Sequence, residues 1–261
     1  MKKWLAILLS QNSLRKVLGF NLYFKTFKFN YHREVVEKFA FKKVLIISPH
    51  PDDDIFGVGG TIVKLTEGGA DVAVAYLCNG EGGVKEENVA RKDLTLIETR
   101  KSEAKRAGEI LGVKEQLFYD YPDGKLSASR VAVKAVSNLI KNFKPDIIFL
   151  PSFLDNHPDH RAANDVLIKA VADLGGFEGE IWAYEVWTPI SPNRVVPINN
   201  EIESKRSACE AHKSQLDSRG YTDAIIGLNQ YRAEINNIKG YAEAFFASKF
   251  DVYKKLYEAN K

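Results

Sequence analysis

A three-layer α/β fold with a mostly parallel sheet is predicted by three observations. Short apolar runs of strand length alternate with stretches of helical periodicity along the chain. Glycines punctuate the joints between them. Two clusters of histidine and aspartate, at 50–54 and 155–160, each follow directly on one of the apolar runs, at the carboxyl end of a strand where open α/β sheets bind ligands.

The elements follow in order. Residues 43–48 form a β-branched run that reads as a strand buried on both faces. The spacing predicts a helix starting near Gly59 and stopping at Gly68-Gly69, then a strand over 72–77. This strand, helix, strand unit is the building block of a parallel sheet with right-handed crossovers. Residues 79–93, rich in Gly, Glu and Lys without apolar periodicity, read as a mobile loop that could serve as a lid. A helix is expected over 95–111, closed by Gly112. A short strand follows at 117–119, then the turn Tyr121-Pro122-Asp123-Gly124, a helix over 131–143 and a buried strand over 146–150. The C-terminal part predicts a helix from Glu201 to Gln215 and another from Tyr241 to Tyr257.

With 45% hydrophobic and 27% charged residues in 261, the chain has the makings of a substantial core, and disorder is not expected. The net charge of +3 is unevenly spread. Residues 1–43 hold ten Lys or Arg against Glu34 and Glu37, a net of +8, which leaves 3 − 8 = −5 for the remainder. Residues 1–40 are therefore set apart as a basic extension of a domain over 41–261, suited to peripheral contact with an anionic membrane; nucleic-acid binding is not expected. Lys2 and Lys3 before an apolar stretch resemble the start of a signal peptide, but no small-x-small cleavage pattern follows. No apolar run is long enough to span a membrane. Cys78 and Cys209 lack CxxC spacing, so neither a disulfide framework nor a thiolate metal site is indicated, and a cytoplasmic setting fits.

In His50-Pro51-Asp52-Asp53-Asp54, three adjacent carboxylates raise one another's pKa unless a cation sits among them. A divalent metal is the natural cation. Zinc takes imidazole and carboxylate ligands and, in catalytic sites, keeps one position open to water. His50 and Asp53 can supply two ligands. In the second cluster either His157 or His160 can complete the set, with Asp155 and Asp159 available to accept an imidazole N–H. Singly, an Asp-rich turn is a solvated cap and a loop histidine is merely exposed. Together they carry weight, because His50, His157 and His160 are three of only five histidines.

These residues resemble the LmbE-like or PIG-L deacetylases, which remove acetyl from N-acetylglucosamine-containing conjugates. The family's first motif is similar to Pro49-His50-Pro51-Asp52-Asp53-Asp54, with Asp in place of the family's final Glu. Its second, His-Pro-Asp-His, is matched by residues 157–160. Weaker matches run through Asn79 to Gly82, Arg100 with Glu103, His212 with Ser214-Gln215, and Tyr241 to Phe245. The resemblance implies a Rossmann-like domain using zinc (Zn2+) held by His50, Asp53 and His160. It also implies Asp52 as general base and His157 as a charged imidazole for the oxyanion, oriented by Asp159. Arg100 and Asp123 fall where related enzymes contact the sugar conjugate. Gly57, Gly59 and Gly60 would let the backbone approach the ligand, or simply serve the turn.

Two rival readings stand beside it. Asp52 and Asp54 form an Asp-x-Asp after a strand, as in aspartate-based, magnesium-dependent phosphatases, a reading that leaves the histidines idle. A non-catalytic sugar-binding protein on the same fold is the other.

Overall fold

The computed structural model describes residues 33–82, 94–216 and 220–261. Residues 1–32, 83–93 and 217–219 lie outside the described residues, and with them most of the basic extension and of the loop expected over 79–93. The strands are β1 (Glu34–Val35), β2 (Lys43–Ser48), β3 (Asp71–Cys78), β4 (Glu115–Tyr121), β5 (Ile147–Pro151), β6 (Glu180–Tyr184), β7 (Arg194–Pro197) and β8 (Ala242–Lys249). Together they make one sheet, ordered β1-β7-β8-β6-β5-β2-β3-β4. The run from β6 to β4 is parallel throughout. β8 alone runs antiparallel to both of its neighbours.

The helices are α1 (Asp53–Glu67), α2 (Leu94–Ile110), α3 (Arg130–Phe143), α4 (Pro158–Asp173), α5 (Ile202–Ala211), α6 (Lys213–Leu216), α7 (Tyr221–Glu234) and α8 (Phe250–Asn260). Side chains alternate across β2: Val44 and Ile46 join the core under α1, α2, α5 and α7, whereas Leu45 and Ile47 join the core under α3, α4 and α8. Both faces are buried, so β2 reads as a continuous apolar run.

β2 lies between β3 and β5 in parallel register, pairing Val44 with Val72 on one side and with Ile147 on the other. From β2 the chain passes into α1 on one face of the sheet, and from β5 it passes into α4 on the opposite face. This divergence marks a topological switch point, and it opens a crevice at the carboxyl ends of β2 and β5.

Several elements differ from expectation. α1 begins at Asp53, not near Gly59, because the strand-to-helix turn is completed within residues 50–52. Residues 242–249, expected as helix, form β8: its alanines and phenylalanines satisfy a helical period locally, but the gap between β6 and β7 supplies hydrogen bonds on both edges. The helix expected over 201–215 is interrupted at His212. Residues 33–40, counted with the extension, dock on the domain. Glu34 and Val35 pair with β7, Arg33 reaches Asn236, and Phe39 packs edge-on against Trp182.

The glycines of α1 serve packing. A Cβ at Gly57 would stand 2.2 Å from the ring of the fully buried Tyr184, and one at Gly60 would stand 2.8 Å from Ile198. Gly57→Ala is expected to cost up to about 2 kcal/mol net, since overpacking at the upper end of roughly 1–3 kcal/mol outweighs the gain of about 1 kcal/mol from helix propensity. A lower urea midpoint in equilibrium unfolding checks this.

Candidate metal centre

The turn after β2 is a compact structure. Asp52 and Asp53 both donate their backbone N–H to the His50 carbonyl, and Asp53 Oδ2 accepts the His50 backbone N–H at 2.9 Å. This folds the His50 ring back over Asp53, with Nδ1 at 3.0 Å from the same carboxylate oxygen. Across the crevice, α4 starts with His157 as N-cap and Pro158 in the first turn, a position that suits proline because the first amides need no helical partner. The first turn of α4 then carries His160 inward, placing its Nε2 3.1 Å from Asp53 Oδ2. Asp53 Oδ2 is thus the point on which two buried imidazoles converge.

The outer nitrogen of each imidazole faces a carboxylate. His50 Nε2 lies 3.0 Å from Asp159 Oδ2 and 3.3 Å from Asp123 Oδ1. His160 Nδ1 lies 3.3 Å from Asp155 Oδ1. These carboxylates are themselves anchored: Asp159 accepts the backbone N–H groups of Gly124 and Leu126, and Asp155 accepts those of His157, Trp187 and Thr188. Metal-binding histidines characteristically donate their other N–H to such a fixed carboxylate. With the His160 Nδ1 turned to Asp155, the buried Nε2, which has no hydrogen bond of good geometry, is the nitrogen whose lone pair suits a cation.

Imidazole nitrogens of His50, His157 and His160 come close enough to share one ion, as do groups of His50, Asp123, His157 and Asp159. His157 fits the role of ligand poorly. Its Nδ1 accepts the Asp159 backbone N–H at 3.2 Å, so the neutral ring carries its proton on Nε2 and has no lone pair there for a metal. In the metal-free protein, burial and the neighbouring His50 and His160 hold its pKa below the ordinary value. The Asp159 carboxylate sits on His50, and the Asp159 backbone amide reaches His157.

Asp52 is buried and paired with Arg100, whose Nη2 donates to Oδ2 at 2.9 Å while Nη1 donates to the Gly80 carbonyl at 2.7 Å. Burial raises the Asp52 pKa, against the attraction of Arg100. Arg100 is therefore turned inward onto Asp52, and Asp123 onto His50 and the Gly82 amide. Asp54 is fully buried, accepts hydrogen bonds from Ser48 Oγ and Tyr76 Oη, and is pushed up by burial to about 7. It does not share the crevice with Asp52, which removes the Asp-x-Asp phosphatase reading.

The structure thus gathers all eight residues singled out in the sequence. Cys78, buried with Sγ 3.7 Å from Asp159 Oδ2, and the backbone of Trp187 and Thr188 also belong to the site. Cys78 ends the strand beside β2, a placement that only the sheet order reveals.

Fold and site together define an α/β protein with a histidine–carboxylate metal centre at its switch point. Comparison with known proteins narrows the class. Residues 45–171 match the model of the PIG-L family, GlcNAc-PI de-N-acetylase. The diacetylchitobiose deacetylase of Thermococcus kodakarensis is 36% identical over 190 residues, 67% of this chain and 70% of the relative. A probable N-acetyl-alpha-D-glucosaminyl L-malate deacetylase of Bacillus cereus is 30% identical over 68% of this chain and 85% of its own length. Among solved structures, the N,N'-diacetylchitobiose deacetylase of Pyrococcus horikoshii superposes with a TM-score of 0.70 at 29% identity, covering 80% of this chain and 85% of that one. The chain belongs to the PIG-L family. A hydratase from Pseudomonas putida shares the fold, with a TM-score of 0.68 at 22% identity, so function has to be argued from the site.

The electrostatics make the metal-free protein sensitive to alkali. Burial would lower the pKa of His160, but Asp53 and Asp155 raise it from the ordinary 6.5 to about 9, and His50 is likewise held well above its ordinary value against burial by Asp53, Asp123 and Asp159. A raised histidine pKa stabilises the fold fully below the unfolded value and is lost as pH rises through the folded one. In the presence of chelator, stability is expected to fall between pH 6.5 and 9. Urea midpoints across that range should decline in the wild type and decline less steeply in His160→Gln, where His50 still contributes; an equal slope in both would refute the assignment.

Proposed function

We propose that this chain is a metal-dependent N-deacetylase that removes acetyl from an N-acetylglucosamine-type conjugate, with zinc held by His50, Asp53 and His160. The observation that carries the reading is the convergence of two carboxylate-backed imidazoles on Asp53 Oδ2, with the Asp52 carboxylate on the adjacent residue. Imidazole with carboxylate is a donor set suited to zinc, whereas magnesium prefers oxygen alone. The deacetylase names of the relatives point to the same reaction.

A metal bound there supplies a Lewis acid and lowers the pKa of water toward about 7. The rest falls to the protein. Asp52, fixed by Arg100 and raised in pKa by burial, accepts the proton of the water that attacks the amide carbonyl. Arg100 thereby acts on the base, in place of the sugar contact the resemblance implies. The half-buried His157 presents its Nε2–H to the developing oxyanion, a role that needs a positioned donor and no full charge. Asp52 then returns its proton to the departing amine as the carbon–nitrogen bond breaks. Asp159, through His50, keeps the ligand ring oriented.

Residues 1–32 are proposed to act in location, by peripheral contact of a cytoplasmic enzyme with anionic membrane, and not in catalysis. No helix among the described residues is long and apolar enough to cross a membrane. A chain lacking residues 1–32 is expected to keep turnover on a small soluble N-acetylglucosamine conjugate while losing flotation with anionic vesicles. Loss of turnover in the folded truncated chain would assign the segment to the catalytic unit.

Three substitutions test the roles. His160→Ala should lose zinc. His157→Ala should keep zinc with kcat reduced about 100- to 1000-fold. Asp52→Asn should keep zinc with kcat reduced on the order of 100- to 10000-fold. Metal content and acetate release on each variant decide, and zinc lost from His157→Ala but kept in His160→Ala would reverse the ligand assignment.

A further inference from the structure

Helix α1 has an ion pair set into its middle. The Gly60 N–H donates to Glu243 Oε1 at 2.8 Å and the Thr61 N–H to Glu243 Oε2 at 2.7 Å. In a regular helix those amides serve the carbonyls of Phe56 and Gly57. The Phe56 carbonyl takes a hydrogen bond from Lys205 Nζ at 2.9 Å, and Lys205 Nζ also meets Glu243 Oε1 at 2.6 Å. Lys205 comes from α5 and Glu243 from β8, and both side chains are wholly shielded from solvent.

A buried ion pair is weak evidence for stability, since apolar replacements of similar volume are often neutral or better. Its placement suggests another use. The start of α1 has no side-chain cap hydrogen bond at Asp52. Instead the Asp52 carbonyl accepts the backbone N–H groups of Ile55 and Phe56. Phe56 is thus bonded to Asp52 through its amide and to Lys205 through its carbonyl, one residue linking the clamp to the turn that carries Asp52 and Asp53. The glycines permit the approach: a Cβ at Gly59 would stand 3.3 Å from Lys205 Cγ.

We infer that Lys205 and Glu243 form a positioning clamp that fixes the first turn of α1, so that Asp52 and Asp53 hold their places against His50 and His160. The inference rests on the reading of those residues as a metal centre, in which neither clamp residue is a ligand.

The test uses the full chain as Lys205→Met, Glu243→Gln and the double variant, with zinc affinity measured by chelator competition alongside kcat and KM. Each single variant is expected to bind zinc about tenfold or more weakly, the range seen when groups supporting metal ligands are removed, and to lose kcat with KM little changed. The double variant should regain thermal stability over the single ones without regaining zinc affinity. Unchanged zinc affinity in variants that fold would overturn the clamp and leave the pair a structural feature only. A wild-type protein that takes up no zinc would instead refute the reading of the site. A measurement on the wild type covers variants that fail to fold. Because coupling is reciprocal, adding zinc should slow hydrogen exchange at Gly60 and Thr61 more than at amides of α7, and equal slowing would overturn the clamp.

Discussion

The pairing of β2 with β5 is the constraint on which the site depends. Three register pairs, Val44 with Ile147, Leu45 with Ile148 and Ile46 with Phe149, hold the strands parallel. The chain must leave them toward opposite faces, so α1 and α4 begin on either side of one crevice. The histidines of the crevice and Asp53 follow from this geometry. His50 and Asp53 enter from the β2 side and His157 and His160 from the β5 side. A slip of one residue in the register would turn alternate side chains to the other face of the sheet and separate the two clusters.

The crevice concentrates charge at a cost that the surrounding backbone offsets. Asp155 and Asp159 are buried, and each accepts backbone N–H groups from segments far away in sequence. Burial would raise the pKa of both carboxylates, but the facing imidazoles, His160 for Asp155 and His50 for Asp159, together with these amides, hold it below the ordinary value. The carboxylates stay ionised and can hold the imidazoles. Arg100 from α2 bridges Asp52 to the Gly80 carbonyl, but there burial outweighs its attraction and the pKa stays raised.

The central strands and both polar clusters were legible in the sequence because strands buried on both faces have a compact apolar signature. Residue types that favour metals stand out directly after them. The pairing within the clusters was not legible. That Asp159 serves His50 and not the nearby His157 depends on a contact across 109 positions, and no local pattern encodes it. β8 departs from expectation for a different reason: Ala242, Ala244 and Ala247 favour helix locally, but antiparallel insertion between two strands outweighs propensity. The early start of α1 was hidden by Gly57, Gly59 and Gly60, which weaken the helical signal. Pro158 at the first turn of α4 was a readable sign that went unused.

Asp155 grips the loop after β6 through the amides of Trp187 and Thr188, and the amide of Trp187 is indifferent to its own side chain. The indole meanwhile stands 44% exposed, in edge contact with Tyr221. Position 187 can therefore be rewritten during divergence without disturbing the carboxylate behind His160. Anchoring by main chain makes the rim of the crevice evolvable while its floor stays fixed, so a lineage can try new outer contacts from generation to generation and keep the same inner chemistry.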